Sequence, residues 1–171
     1  YVGRSKAVAA AESARRSAEA PETLKALLGE VGDADKLVQS TAYGSCVFAN
    51  KPGDGSAREQ AASSQRVLGG AANICYEYAT KRYRSNCINW GILPFTLPAG
   101  APFDYAVGDH VFIPDVRRAI EGKLDTLPAT VIRQDGGTEP ITLNLPPLTN
   151  DEREILLEGC LMNYYAAHSG K

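Results

Sequence analysis

The chain has 171 residues, of which 44% are hydrophobic and 22% are charged, a composition typical of one globular domain that buries a core without disulfides or metal. Eighteen basic and twenty acidic residues leave a net charge of -2. We therefore expect no nucleic-acid partner, because such proteins carry a strongly basic face. The longest apolar run, Ala7 to Ala11, is far shorter than the roughly 20 residues that span a bilayer, so we expect no membrane partner.

The four cysteines are Cys46, Cys75, Cys87 and Cys160. They show no metal-ligand spacing with one another or with the two histidines, so the sequence predicts no metal site within this chain. Cys46 and Cys75 lie in apolar, strand-like runs, where a reduced thiol behaves as a small buried hydrophobe. This cysteine usage favours a cytoplasmic location.

The chain begins at Tyr1 rather than Met, which predicts that it is a piece of a longer protein. Residues 1–40 are predicted to be a helical N-terminal segment or linker, and residues 41–171 to be the main domain. Within the N-terminal segment we expect an Ala-rich helix over 4–20, a short helix from Pro21 to about Gly29, and a loop around Asp33.

The rest of the chain alternates strand and helix signals and then becomes β-rich. Cys46 to Ala49 is a buried-strand pattern, and a helix is expected from Ser56 to Leu68, where Gly69 and Gly70 end it. The further predicted elements are strands over 71–76, 92–97, 109–113, 129–133 and 140–145, helices over 78–85 and 116–122, and one C-terminal helix with a capping box at Thr149 and Glu152. This order predicts an α/β fold with a parallel and an antiparallel portion.

One loop carries the clearest functional signal. Residues 53–60 read Gly-Asp-Gly-Ser-Ala-Arg-Glu-Gln and lie between a predicted strand and a predicted helix, which is where ligands bind in α/β sheets. Glycines let the backbone approach a ligand, and the free amides of a helix start favour an anion. Arg58 adds a fork of donors that matches a carboxylate or a phosphate. The loop therefore predicts an acidic ligand.

Ser56 has two interpretations that the sequence leaves open. Because Glu59 follows three residues later, Ser56 can form a capping box with it at the start of the helix. The same backbone amides would also stabilise the serine oxygen as an alkoxide, so Ser56 can instead be a base. Arg58, likewise, can be an ordinary solvated surface charge.

Three motifs in order resemble the C-terminal swivelling domain of the aconitase family. They are the loop at 53–60, Leu-Gly-Gly-Ala at 68–71, and Asn-Cys-Ile-Asn-Trp-Gly-Ile-Leu-Pro at 86–94. The family patterns are Gly-x-Gly-Ser-Ser-Arg-Glu-His-Ala, Leu-Gly-Gly and Asn-Leu-x-x-x-Gly-x-Leu-Pro, and their spacing agrees across residues 45–97. The resemblance implies a three-layer β/β/α swivelling domain within the α/β class.

The resemblance also implies a reaction. Aconitase-like hydro-lyases reversibly dehydrate and hydrate di- or tricarboxylic β-hydroxy acids of the citrate and isocitrate type. Carried over by motif, Ser56 would be the base, Arg58 the carboxylate clamp, and Gly55 and Ala57 substrate contacts. The family uses a 4Fe-4S cluster whose unligated iron binds the substrate hydroxyl and carboxylate as a Lewis acid. Another domain or a large subunit would ligate it, so the isolated chain is expected to be inactive.

Two departures from the family pattern keep alternatives open. Ala57 stands where the family has a second serine, which removes a hydrogen bond worth about 1–3 kcal/mol if it is charge-assisted. Gln60 stands where the family has a histidine. The substrate is therefore uncertain, and two alternatives remain: the small subunit of an isopropylmalate-isomerase-like dehydratase, and a non-catalytic, carboxylate-binding regulatory domain.

Overall fold

A computed structural model of the protein describes residues 22–169, so the helix predicted over residues 4–20 lies outside the described part. The strands are β1 (Ser45–Ala49), β2 (Gly70–Cys75), β3 (Leu93–Thr96), β4 (His110–Phe112), β5 (Thr126–Ile132) and β6 (Thr138–Asn144). The helices are α1 (Glu22–Gly29), α2 (Ala34–Ser40), α3 (Arg58–Val67), α4 (Lys81–Asn89), α5 (Val116–Glu121), α6 (Asn150–Glu158) and α7 (Leu161–His168). None of these helices is long and apolar enough to cross a bilayer.

The six strands form one mixed sheet in the order β1-β2-β3-β6-β5-β4. Strands β1, β2 and β3 are parallel, with α3 and α4 as the crossover helices, whereas β6, β5 and β4 are antiparallel. The two halves meet at a single residue pair, Thr96 with Asn144. The predicted α/β fold with a parallel and an antiparallel portion is confirmed.

The main core lies between the sheet and the helices of both halves. Ile74, Phe95 and Leu143 are fully buried on the strands, and they share one cluster with Ile88 of α4 and Ile155 of α6. This burial removes large apolar side chains from water, which is the main stabilising term in folding.

The two N-terminal helices form a smaller cluster of their own. Its buried members are Leu24, Leu28 and Val38, and Phe112 of β4 packs against them. The loop predicted around Asp33 is confirmed over residues 30–33. It ends at Asp33, because the Asp33 carboxylate accepts a hydrogen bond from the Lys36 amide and so opens α2 as a helix N-cap. The domain boundary at residue 40 stays a prediction.

Strand β1 is confirmed, but its predicted burial is wrong. Cys46 and Val47 are exposed, because β1 is an edge strand that pairs only with β2. Cys75, on the inner strand β2, is buried as predicted. The burial of a short apolar strand depends on its place in the sheet, which the local pattern does not contain.

Helix α4 begins three residues later than predicted and ends later too. The Thr80 hydroxyl accepts a hydrogen bond from the Tyr83 amide, so the helix starts after Thr80, and it continues to Asn89. Side-chain capping therefore sets this boundary.

The predicted capping box at Thr149 and Glu152 is confirmed. Glu152 also forms an ion pair with Arg84 of α4 at 3.0 Å, with both side chains largely buried. The single C-terminal helix is wrong, however, because Gly159 adopts a left-handed φ of 93° and ends α6. Helix α7 then starts at Leu161, as expected after a glycine C-cap.

The turn after α4 contacts the end of α6, and Gly91 permits this contact. Gly91 has a φ of +69°, and a Cβ added there would lie 1.8 Å from the carbonyl oxygen of Gly159. We expect Gly91→Ala to reduce the free energy of unfolding by the cost of a left-handed residue, about 1–2 kcal/mol, plus a similar overpacking cost of about 1–3 kcal/mol. Urea unfolding of both proteins measures the loss.

Gly136 provides the matched control in the turn between β5 and β6. It also has a positive φ, +87°, but no atom lies within 4 Å of an added Cβ. Gly136→Ala should therefore reduce the free energy of unfolding only by the cost of a left-handed residue, about 1–2 kcal/mol. Equal losses in the two variants would contradict the proposed packing of Gly91 against Gly159.

Candidate active site

The candidate site lies where β1 and β2 end. We call residues 50–57, between β1 and α3, the serine loop. The Asn50 carbonyl accepts hydrogen bonds from the amides of Tyr76 (3.2 Å) and Glu77 (3.3 Å), and the Pro52 carbonyl accepts one from the Ala79 amide (2.9 Å). These bonds join the serine loop to the loop that follows β2, and an ion pair between Lys51 and Glu77 adds to them.

A pocket of about 380 Å³ opens beside the serine loop. The residues that line it are Gly53, Gly55, Ser56, Ala57, Arg58, Ala61 and Tyr83. All four residues that the sequence singles out, Gly55, Ser56, Ala57 and Arg58, are among them. A serine and an arginine thus line one pocket at the carboxyl edge of the parallel strands, where α/β folds bind ligands.

The capping-box interpretation of Ser56 is wrong. Helix α3 begins at Arg58 with Ala57 at the N-cap, and no side chain caps it. The Glu59 carboxylate instead accepts a hydrogen bond from the Trp90 indole at 2.6 Å. Ser56 is exposed and makes no hydrogen bond with the part of the chain that the structure describes. Its hydroxyl is therefore available to a ligand.

Arg58 is held at one point of its side chain. Its Nε donates to the Gly53 carbonyl at 3.1 Å, while its two terminal nitrogens make no hydrogen bond or ion pair with the described residues. Arg58 also lies in the first turn of α3, where the helix dipole disfavours a cation. The free guanidinium edge and the first-turn amides together form a place for an anion.

The sequence analysis missed two residues, Thr80 and Tyr83, that shape this pocket together with Gly53 of the predicted loop. Gly53 has a φ of +96°, and a Cβ added there would lie 2.5 Å from the Cβ of Tyr83, so this close approach requires glycine. The Thr80 hydroxyl donates to the Gly53 carbonyl at 3.1 Å. The order of the strands could have indicated Thr80 and Tyr83. Both follow β2, and the carboxyl ends of the parallel strands β1 and β2 lie at the same edge of the sheet.

Tyr83 belongs to a buried network of polar side chains. Asn73 of β2 is only 2% exposed, and its amide nitrogen donates to the Tyr83 hydroxyl and the Cys87 sulfur, both at 3.4 Å. The Gln65 amide donates to the Asn73 carbonyl oxygen. Burial raises the pKa of Tyr83 to about 12, so its hydroxyl stays protonated. Satisfied networks of this kind hold side chains in one arrangement.

The described residues do not offer ligands for an iron–sulfur cluster. They contain no group of three or more His, Cys, Asp or Glu side chains placed to hold a metal ion. Burial also raises the pKa values of Cys75 and Cys87 to about 11, so both are protonated thiols within the core.

Comparisons with known proteins give a family match, a curated relative and a solved structure. The model of the aconitase C-terminal domain matches residues 9–100. Aconitate hydratase A of Bradyrhizobium diazoefficiens is 30% identical over 117 residues, which are 66% of this chain and 12% of that protein. A solved structure, 3-isopropylmalate dehydratase from Methanocaldococcus jannaschii, aligns with a TM-score of 0.47 and 22% identity, covering 79% of this chain and 71% of that one.

The family match includes the whole parallel half of the sheet, the serine loop and both crossover helices, and it covers more than half of the chain. The chain spans only 12% of the length of the curated relative. It belongs to the aconitase C-terminal domain family.

Proposed function

We propose that this chain is the part of an aconitase-like hydro-lyase that supplies a serine base and an arginine clamp to a di- or tricarboxylic β-hydroxy acid. One observation carries the proposal: Ser56 and Arg58 line the same pocket, and neither the Ser56 hydroxyl nor the terminal nitrogens of Arg58 bond to a described residue.

Arg58 would bind a substrate carboxylate. Its two terminal nitrogens match the two carboxylate oxygens, and such paired bonds fix orientation as well as position. The bond from Nε to the Gly53 carbonyl leaves these nitrogens for the ligand. A bound carboxylate would also offset the unfavourable placement of a cation at the start of α3.

Ser56 would move the proton. As an alkoxide, its oxygen takes a proton from the carbon beside the carboxylate. The electron pair of that C–H bond becomes the second bond of the alkene, and the hydroxyl leaves the neighbouring carbon as hydroxide, taking the electron pair of the C–O bond with it. A bound cluster would supply the Lewis acid that stabilises this leaving hydroxide, and hydration reverses these events. A serine hydroxyl is a weak acid, so the α3 amides and Arg58 must stabilise the alkoxide.

The proposal assigns the 4Fe-4S cluster to another domain or to a large subunit, because the described residues do not provide its ligands. The exposed serine loop would then face that cluster-bearing partner, and the isolated chain would not turn over. A cytoplasmic location is part of the same proposal, and the buried free thiols of Cys75 and Cys87 are compatible with it.

Ser56→Ala in the intact enzyme tests the base. We expect kcat to fall by about 10²–10⁴-fold, the usual contribution of a positioned base, with an unchanged melting temperature because Ser56 has no bonds to the described residues. Turnover of citrate, isocitrate and 3-isopropylmalate should be measured for both proteins. The matched control is Ser64→Ala, since Ser64 is an exposed serine of α3 and lies outside the pocket.

A normal kcat in Ser56→Ala would overturn the assignment of the base. If the wild-type enzyme with its cluster domain binds carboxylates through Arg58 but turns none over, the chain is the non-catalytic binding domain. That alternative keeps the clamp and does not need the hydroxyl of Ser56.

Ala57→Ser tests how the pocket sets specificity. It restores the hydroxyl of the family pattern, so we expect the ratio of kcat/KM for isocitrate over 3-isopropylmalate to rise about tenfold, the effect of roughly 1.4 kcal/mol of extra hydrogen bonding. Ala57 is also the N-cap of α3, where a serine can bind backbone amides instead. An unchanged ratio with a free energy of unfolding raised by about 1 kcal/mol would contradict the substrate contact.

A further inference from the structure

We propose that Thr80 is a positioning residue for the Arg58 clamp and that it acts through the Gly53 carbonyl. This inference rests on the proposed role of Arg58 and adds a residue to it. Thr80 precedes α4 and does not line the pocket; its effect on a ligand would be carried entirely by the serine loop.

Two donors from different segments meet on one oxygen. The Gly53 carbonyl accepts from Arg58 Nε at 3.1 Å and from Thr80 Oγ1 at 3.1 Å. The Thr80 hydroxyl also accepts from the Tyr83 amide at 3.2 Å. Because a hydroxyl has one proton and two lone pairs, this pair of bonds fixes its direction: the lone pair takes the amide proton, and the hydroxyl proton goes to Gly53.

The Gly53 peptide needs such an anchor. Glycine has more backbone freedom than any other residue, and the next four residues of the loop are exposed. Tyr83 closes one side of Gly53 by contact, as the 2.5 Å approach of an added Cβ shows. The hydrogen bond from Thr80 then fixes the direction in which the Gly53 carbonyl points.

The direction of that carbonyl sets the orientation of the clamp. Arg58 is a long side chain with considerable rotamer entropy, and its one bond to the described residues is that from Nε to Gly53. If the acceptor is fixed, the guanidinium plane is fixed, and its free edge is presented in one arrangement before the ligand arrives. Such preorganisation strengthens binding without adding a contact to the ligand.

Thr80→Val in the intact enzyme removes the hydroxyl and keeps the shape. We expect KM for the carboxylate substrate to rise about three- to tenfold, the effect of one ordinary hydrogen bond, with little change in kcat. Thr80→Ser keeps the hydroxyl and should restore KM. Thr80→Ala also removes the hydroxyl, and its KM is measured instead if Thr80→Val does not fold.

Thr149→Val separates positioning from capping. Thr80 and Thr149 both cap a helix through a side-chain oxygen, and both variants should lower the melting temperature. Thr149 has no bond to the serine loop, so only the Thr80 variant should raise KM. Equal changes of KM in the two variants would overturn the proposal.

A double-mutant cycle with Arg58→Ala completes the test. Arg58→Ala should raise KM by itself, and Thr80→Val should raise it no further in that background, because Thr80 acts through Arg58. If Arg58→Ala raises KM and Thr80→Val leaves KM unchanged, or adds its full effect without Arg58, the positioning role is wrong and the clamp stands. If Arg58→Ala leaves KM unchanged, the clamp itself is wrong.

Discussion

The parallel pairing of β1 with β2 is the constraint on which the rest of the site depends. It brings the carboxyl ends of two strands, 20 or more residues apart in sequence, to one edge of the sheet. The loops that follow them then bond to each other through the Asn50 and Pro52 carbonyls. Because these are backbone bonds, they hold the path of the serine loop while leaving its side chains free for chemistry. Ser56 and Arg58 line one pocket as a result of this pairing.

The support beneath the pocket is polar, which is unusual for a core. Asn73 is buried on β2, and its amide is satisfied by Gln65, Tyr83 and Cys87 from the two crossover helices. An unsatisfied amide at this depth would cost about 1–3 kcal/mol, so the three partners are required together. The distance between α3 and α4 is therefore set by these directional hydrogen bonds as well as by apolar packing. The same bonds fix the position of Arg58, in the first turn of α3, relative to Thr80, which caps α4.

The sequence predicts the elements of this fold better than it predicts their environment. Each described strand has a local apolar pattern that predicts it. The capping box at Thr149 is likewise predicted from neighbouring residues alone. The exposure of Cys46 depends on the position of β1 at the sheet edge, which is not a local property. The break at Gly159, in contrast, is a glycine C-cap, which is a local signal. The motif at 53–60 identifies the site loop, because a glycine-rich turn before a helix has a direct physical meaning. Thr80 could not be found in this way, since its bond to Gly53 joins two loops that follow different strands.

Ser56 illustrates why spacing alone leaves function open. A serine three residues before a glutamate fits a capping box, yet Glu59 lies one position too early in α3 and bonds to Trp90 instead. The helix thus begins with alanine at its N-cap and arginine in its first turn, and neither choice favours folding. Local rules of this kind are broken most often where function requires it. An anion bound at this end of α3 would satisfy the free amides and neutralise Arg58, so the features that weaken the helix start are the ones that make it a binding site.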